Sequence, residues 1–169
     1  MPSEKELDQA LDRAFKENPA FCEWFLSKLK NASAFATYAW SNANYPWGKV
    51  TLILPNPETG ALEAVAREGE TDVLVVFESA SKRRLGIHIE NKLARGSFTA
   101  HQAEVGAARA QHWCRSEKHG NYDEWQTVLL APMAFYERNA AEARKFTTFI
   151  SHEEVAAYLS VFATQRAGT

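Results

Sequence analysis

Two carboxylates and a lysine stand at the open ends of an apolar hairpin, and these residue types are suited to chemistry. In the stretch Thr71–Lys92, Asp72 opens the first apolar run, and Glu90 and Lys92 close the second. Strand side chains alternate between faces, so Glu90 and Lys92 project together. In an antiparallel hairpin centred near Ser81, Asp72 lies opposite Glu90, with Cβ atoms about 5 Å apart. Two carboxylates at this separation can share a cation.

The chemistry that this pattern favours is metal-assisted hydrolysis of a phosphodiester bond. A divalent cation held by Asp72 and Glu90 would neutralise the phosphate and polarise a water molecule. Hard oxygen ligands favour Mg²⁺ or Mn²⁺ over Zn²⁺. Lys92 would orient the water or stabilise developing charge. The same acid-x-lysine pattern is common in solvated cross-strand ion pairs, and from these residues alone that interpretation is the more frequent one.

Two helical stretches at the start of the chain precede the strands. Ser3 and Glu6 match a capping box, which predicts that the first helix begins there. Asn18-Pro19 predicts its end, because the residue before a proline disfavours helical geometry. Apolar residues then restart a helical pattern, and Glu23 lies inside this second stretch.

The segment between the helices and the hairpin is harder to assign. Residues 34–57 are rich in aromatic side chains and are interpreted as irregular, apart from one strand at Val50–Leu54. A second strand is predicted over Leu62–Arg67, with a turn at Gly69 before the hairpin. This region is a candidate for substrate specificity.

A helix is predicted after the hairpin, from about Ala100 to Arg115. Thr99 and Gln102 match a capping box at its start. Small residues form a stripe suited to close packing against a sheet. Gln102, Gly106 and Arg109 lie on a different stripe, where the glycine leaves room between two polar side chains.

One more strand and a final helix complete the pattern. The strand is predicted over Gln126–Ala131, parallel to the strand of Glu90 through a right-handed crossover. Ser151 and Glu154 form a third capping box, which predicts a last helix reaching Phe162. Strands in succession, then a helix and a further strand, indicate an α/β domain with a mixed sheet flanked by helices.

Composition places the chain among ordinary folded proteins. Its 169 residues, with 46% hydrophobic and 24% charged, fit a single domain over residues 1–169. The net charge of −2 gives no global signature of nucleic-acid binding, which would need a local basic patch. Two widely spaced cysteines and the absence of a long apolar run favour a cytoplasmic setting without membrane contact.

The order of these motifs resembles that of the PD-(D/E)XK, or restriction-endonuclease-like, nuclease superfamily. In that family an acid starts the second core strand and a (D/E)-x-K motif ends the third. Glu70–Asp72 resembles the first motif, and Ile89–Lys92 resembles the second. His101–Glu104 is similar to a glutamine-bearing element of the next helix, although Gly106 stands where many members carry a tyrosine. The resemblance extends from the first helix to about Phe162.

The resemblance implies a restriction-endonuclease-like αβββαβ core with a C-terminal helix, and a nuclease that uses Mg²⁺, or Mn²⁺ in its place. Asp72 and Glu90 would be both metal ligands and catalytic residues, with Lys92 as the catalytic lysine. The backbone carbonyl of Asn91 would also reach the metal.

Further site residues follow from the same resemblance. Members often contribute a glutamate from the first helix, for which Glu23 is the candidate, with Glu17 behind it. Gln102, near the start of the helix after the hairpin, would contact the substrate. Apart from the resemblance, local basic residues are candidates for binding phosphate, among them Arg95, just beyond Lys92, and Arg109.

Two functions from different classes stay open at this point. The first is a DNA nuclease, for which a homodimer would make cleavage of both strands easiest. The second is a non-catalytic module that keeps the fold and binds nucleic acid or protein. Degenerate members usually lose an acid or the lysine, and retention of Asp72, Glu90 and Lys92 favours the enzyme. The choice between DNA and RNA, and between internal and terminal cleavage, is not decided by these residues.

Overall fold

The computed structural model describes residues 1–166 of the chain. In this part of the chain the α-helices are α1 (Glu4–Glu17), α2 (Pro19–Ser27), α3 (Gln102–His112), α4 (Met133–Arg138), α5 (Ala140–Ala143) and α6 (His152–Val155). The β-strands are β1 (Phe35–Asn42), β2 (Trp47–Pro55), β3 (Leu62–Glu70), β4 (Val73–Ser79), β5 (Arg84–Asn91), β6 (Glu124–Ala131) and β7 (Thr148–Ser151). Short 3₁₀ helices span Glu117–His119 and Ser160–Arg166.

The strands form one mixed sheet and a separate arm. The sheet has five strands in the order β1-β4-β5-β6-β7. The pairs β1–β4 and β4–β5 are antiparallel, whereas β5–β6 and β6–β7 are parallel. Among the described strands, β2 and β3 pair only with each other. They form an arm that is inserted in the sequence between β1 and β4, which are themselves neighbours in the sheet. The predicted α/β class with a mixed sheet, and the predicted parallel crossover through α3, are both confirmed.

Helices cover both faces of the sheet, which explains the continuous apolar run of β4. On one face Val73, Val75 and Phe77 pack in a core that includes Leu11 and Phe15 of α1. On the other face, alternate residues of the same strand pack against Trp113 and Tyr122 near the end of α3. A strand buried on both faces has no solvated side on which to place polar residues.

Capping residues begin the first two helices where the sequence predicts. The hydroxyl of Ser3 accepts from the Glu6 amide at 3.3 Å, and the Glu6 carboxylate accepts from the Ser3 amide at 2.7 Å. The side chain of Asn18 accepts from the Phe21 amide at 3.0 Å and starts α2, with Pro19 at its first position. Oε1 of Glu4 accepts from the Leu93 amide at 3.4 Å, which places the N-terminus of α1 beside the end of the central hairpin.

Strand β1 was expected to be irregular, and it is a full sheet strand. Its pairing with β4 slips between Phe35 and Thr37 and again between Tyr38 and Trp40. Each irregularity shifts side chains to the other face, so the alternation that reveals a strand in sequence is lost. The turn expected at Gly69 is likewise absent, because Gly69 pairs with Gly48 inside the arm.

The last helix is much shorter than predicted. The capping box of Ser151 and Glu154 is present, but α6 ends at Val155. The rings of His152 and Phe162 lie 4.9 Å apart. Ten residues of α-helix would separate them by about 15 Å, so the chain must turn to bury Phe162 against the core.

The packing of Tyr122 against the sheet generates a stability prediction. A Cβ at Gly86 would overlap the Tyr122 ring, whereas a Cβ at Gly106 would meet no atom within 4 Å. We expect Gly86→Ala to lower the free energy of unfolding by about 2 kcal/mol or more, because the buried ring cannot yield freely. Gly106→Ala is the control, and it should stabilise the helix by ~0.5–1 kcal/mol. Urea unfolding measures both, and an unchanged midpoint for Gly86→Ala would contradict this packing.

Candidate active site

The register of the central hairpin places Asp72 across from Glu90. Val73 pairs with Ile89 and Glu78 pairs with Arg84, which centres the hairpin on residue 81 as predicted. Extended by one residue beyond the first pair, the same register sets Asp72 opposite Glu90. The amide of Asn91 donates to Oδ2 of Asp72 at 2.7 Å and holds the carboxylate at this strand end.

A cavity of about 510 Å³ opens over this pair. One wall is the arm strand β3, and the other is helix α3. Val50 and Leu52 of the arm pack on Val105 of α3, so an apolar contact fixes the position of the arm. The polar and charged side chains that line the cavity are Glu4, Arg67, Glu68, Glu70, Asp72, Glu90, Lys92, Thr99, Gln102 and Arg109.

Hydrogen bonds occupy one oxygen of each carboxylate and leave the other available. Oε1 of Glu90 accepts from Lys92 Nζ at 2.9 Å and from Nε2 of Gln102. The amide oxygen of Gln102 in turn accepts from the Thr99 backbone amide at 3.0 Å. The predicted capping box at Thr99 is wrong, because α3 begins at Gln102 with His101 as its N-cap and without a side-chain cap hydrogen bond. Within residues 1–166, no hydrogen bond reaches Asp72 Oδ1 or Glu90 Oε2. The two free oxygens are therefore the ones open to a cation.

Burial makes the negative charge of this pair costly. Desolvation, with the nearby charge of Glu90, raises the pKa of Asp72 to about 9. Desolvation also raises the pKa of Glu90, although the charge of Lys92 opposes that shift. Neighbouring carboxylates that raise one another's pKa values bind either a proton or a cation.

The donor set fits a hard divalent cation. Mg²⁺ keeps several waters and takes one or two protein carboxylates together with substrate phosphate oxygens. Asp72 and Glu90 supply two such carboxylates. In the part of the chain that the structure describes, no cluster of three or more His, Cys, Asp or Glu side chains has the arrangement of a metal site. Asp72 and Glu90 could therefore supply at most two protein carboxylates to a cation, and water or substrate oxygens would have to complete its coordination.

Asp8 of α1 is a third carboxylate near the pair, and the sequence interpretation missed it. It is fully buried and accepts from the Asn91 side chain at 2.9 Å and from the Tyr45 hydroxyl at 3.2 Å. Desolvation raises its pKa to about 6. Its position next to Leu7 on the apolar face of the helix was the available signal, since a charge on a buried stripe needs a partner.

The structure does not bring Glu23 to the cavity. Glu23 lies on α2 and lines a separate apolar cavity with Cys22 and Leu26, between α2 and β1. Glu17 lies at the last position of α1, distant along the helix from its N-terminal turns. The first turns of α1 approach the hairpin end and bring Asp8 near the pair. Both of its oxygens accept hydrogen bonds and it does not line the cavity, so it does not take the ligand role that the prediction assigned to Glu23.

The remaining predicted residues divide between the cavity and its surroundings. Gln102 and Arg109 both line the cavity. Arg95 is exposed on the loop after Lys92 and lies outside the lining, where Arg67 is found instead. The Asn91 side chain is buried and accepts from His152 at 2.8 Å, while its backbone amide holds Asp72.

Comparison with known proteins adds no family to this description. No protein-family model matches the chain, and neither a curated protein nor a solved structure matches it. Among the described helices, none has both the length and the apolar character needed to cross a membrane.

The raised pKa of Asp72 predicts how stability depends on pH without metal. A carboxyl whose folded pKa is about 9 against an ordinary 3.8 stabilises the fold while protonated. That contribution is present below about pH 4 and is lost as the pH rises through 9. Asp72→Asn should therefore raise the melting temperature near pH 8 in EDTA by ~2–4 °C and flatten its pH dependence.

The matched control for this measurement is Glu137→Gln, which removes one exposed negative charge far from any hydrogen bond of the site. It should leave the pH profile of the melting temperature unchanged. An Asp72→Asn protein that melts below wild type near pH 8 in EDTA would show that the Asp72 charge is not under repulsion.

Proposed function

We propose that the protein is a metal-dependent nuclease that hydrolyses phosphodiester bonds in nucleic acid, with DNA as the substrate. The observation that carries the proposal is the convergence of Asp72 and Glu90, each with one free oxygen, beside Lys92. Helix α1, strands β1, β4 and β5, helix α3 and strand β6 occur in the order of a restriction-endonuclease-like core, with α2 and the arm inserted between them. We assign the chain's core to that arrangement as part of the same proposal.

Asp72 and Glu90 would hold Mg²⁺, or Mn²⁺, through their free oxygens. When bound, such a cation neutralises the scissile phosphate and polarises a water molecule. The Asn91 amide holds Asp72, and Gln102 holds Glu90, so both carboxylates are oriented before substrate arrives. Donors fixed in advance cost little reorganisation during the reaction.

Lys92 is the residue placed to act on the reacting groups. Its ammonium group lies 2.9 Å from Glu90, and both side chains are only 13% exposed. A buried ammonium at this position can hydrogen-bond an attacking water or the developing negative charge of the phosphate. Electrostatic stabilisation of this kind is stronger in a partly desolvated site than in water.

Positive charge in the cavity would bind the substrate backbone. Arg67 enters from the arm and Arg109 from α3, on the two walls that flank the carboxylates. Arginine binds phosphate through paired N–H groups. These basic groups stand among five carboxylates that also line the cavity, so phosphate binding there would depend on the bound cation as well.

Cleavage of DNA in the presence of metal tests the proposal. Purified protein would be incubated with plasmid DNA and with single-stranded DNA, in Mg²⁺, Mn²⁺ or EDTA. We expect cleavage that needs metal and that falls ~100-fold or more in Asp72→Asn and Lys92→Met, since each removes a group that contacts the reacting atoms. Lys82→Met, on the exposed turn at the far end of the hairpin, is the matched control and should cleave as wild type does.

Cleavage that persists in both site variants would overturn this site assignment. Wild-type protein that binds DNA in EDTA but never cleaves it would instead support the non-catalytic binding module.

A further inference from the structure

Arg109 is a buried cation that keeps unused hydrogen-bonding capacity beside the cavity. It is 5% exposed, and its Nη1 donates to the Glu70 carbonyl at 2.9 Å and to the Thr71 hydroxyl at 3.3 Å. Within residues 1–166, its Nε is buried and has no acceptor. An arginine carries five N–H donors, so this guanidinium is incompletely satisfied by the protein.

A chain of hydrogen bonds runs from Arg109 through the protein interior. Thr71 Oγ1 lies 3.1 Å from His88 Nδ1, and His88 Nε2 lies 2.9 Å from the Tyr122 hydroxyl. Tyr122 lies 2.5 Å from the Ala110 carbonyl, on the same helix as Arg109. Thr71, His88 and Tyr122 are each at most 3% exposed, so water does not compete for these contacts.

Only one direction of proton donation satisfies every hydrogen bond from Arg109 to the Ala110 carbonyl. The Ala110 carbonyl can only accept, so the Tyr122 hydroxyl donates to it. The Tyr122 oxygen must then accept from Nε2–H of His88, which leaves Nδ1 as an acceptor. The Thr71 hydroxyl donates to that nitrogen.

With its proton committed, the Thr71 oxygen is free to accept from Arg109. The opposite tautomer of His88 would set two lone pairs against each other at Tyr122 and leave the Thr71 proton without an acceptor. The chain therefore presents one oxygen lone pair to Nη1 of Arg109.

Gly69 of the arm also lies close to the guanidinium of Arg109. A Cβ at this position would lie 2.6 Å from Nη2 of Arg109. The arm thus approaches the arginine at a residue without a side chain, and the guanidinium is held between the arm and the chain from Thr71.

We infer that Thr71, His88 and Tyr122 are positioning residues that hold the Arg109 guanidinium so that its Nη2 group can bind a phosphate of the nucleic acid. This inference rests on the proposed function, because it supplies the phosphate contact of that same site. Arg109 touches the substrate, and the three residues act through it.

A double-mutant cycle measures whether Thr71 acts through Arg109. The readout is the dissociation constant of a fluorescein-labelled DNA duplex in EDTA, followed by anisotropy, which does not depend on cleavage. We expect Thr71→Val to weaken binding ~10-fold, the size expected for a lost hydrogen bond to a charged group. Thr71→Ser keeps the hydroxyl and should bind within ~2-fold of wild type, because the hydrogen bond survives.

The decisive comparison is the pair of substitutions together. Arg109→Gln should weaken binding at least as much as Thr71→Val does. If Thr71 acts through Arg109, adding Thr71→Val to Arg109→Gln should cost nothing further. Additive losses, or a Thr71→Ser protein as weak as Thr71→Val, would overturn the inference. Circular dichroism at the assay temperature confirms that each variant is folded.

A second measurement tests the direction of these hydrogen bonds through the tautomer of His88. Long-range ¹⁵N–¹H correlation of wild-type protein should show His88 as the Nε2–H tautomer, and the Nδ1–H tautomer would overturn the inference. Wild type that binds DNA while the cycle is additive would refute the positioning role and leave the proposed function standing. Wild type that neither binds nor cleaves DNA would refute the proposed function itself.

Discussion

The burial of two neighbouring carboxylates at the end of one hairpin is the constraint on which this site depends. Asp72 and Glu90 lose hydration because the arm and α3 close over them, and the charge of Glu90 adds to the cost of ionising Asp72. Lys92 offsets part of that cost at Glu90. A protein that keeps such a pair without neutralising it fully is less stable than it could be, which is common at functional sites.

The rest of the fold serves to hold the pair in place. Apolar residues on both faces of β4 and on one face of β5 fix the hairpin register, since a slip of one residue would turn the buried set of β5 to the other face. The polar contacts then converge on the strand ends. Asn91 links Asp72 to Asp8 of α1, and through His152 to the start of α6. Helices α1 and α6, which are distant in sequence, are thus both hydrogen-bonded to the end of β5 at Asn91.

Local patterns in the sequence predicted the parts of the site that depend on local geometry. The hairpin register assumed from a turn centred near Ser81 is the one observed, and Gln102 and Arg109, predicted on one stripe of α3, both line the cavity. Capping boxes located the starts of α1 and α6 because those contacts span only three residues.

The features that were missed depend on contacts between distant segments. Asp8 lies near the carboxylate pair because α1 crosses the hairpin end, and no local sequence pattern predicts that crossing. Strand β1 was hidden by its bulges, and the turn after α6 by the burial of Phe162 against His152. The hydrogen bonds behind Arg109 were missed for the same reason, since Tyr122 contacts His88 and the Ala110 carbonyl from a loop beyond the end of α3.

The most direct test of the account is the position of a bound cation. Crystals grown with MnCl₂ and measured at a wavelength where manganese scatters anomalously would locate the ion without reference to activity. The account predicts one strong anomalous peak between Asp72 and Glu90, bonded to an oxygen of each carboxylate. Manganese bound elsewhere on the protein, with Asp72 still accepting from the Asn91 amide and Glu90 from Lys92 and Gln102 but neither bonded to the metal, would contradict it.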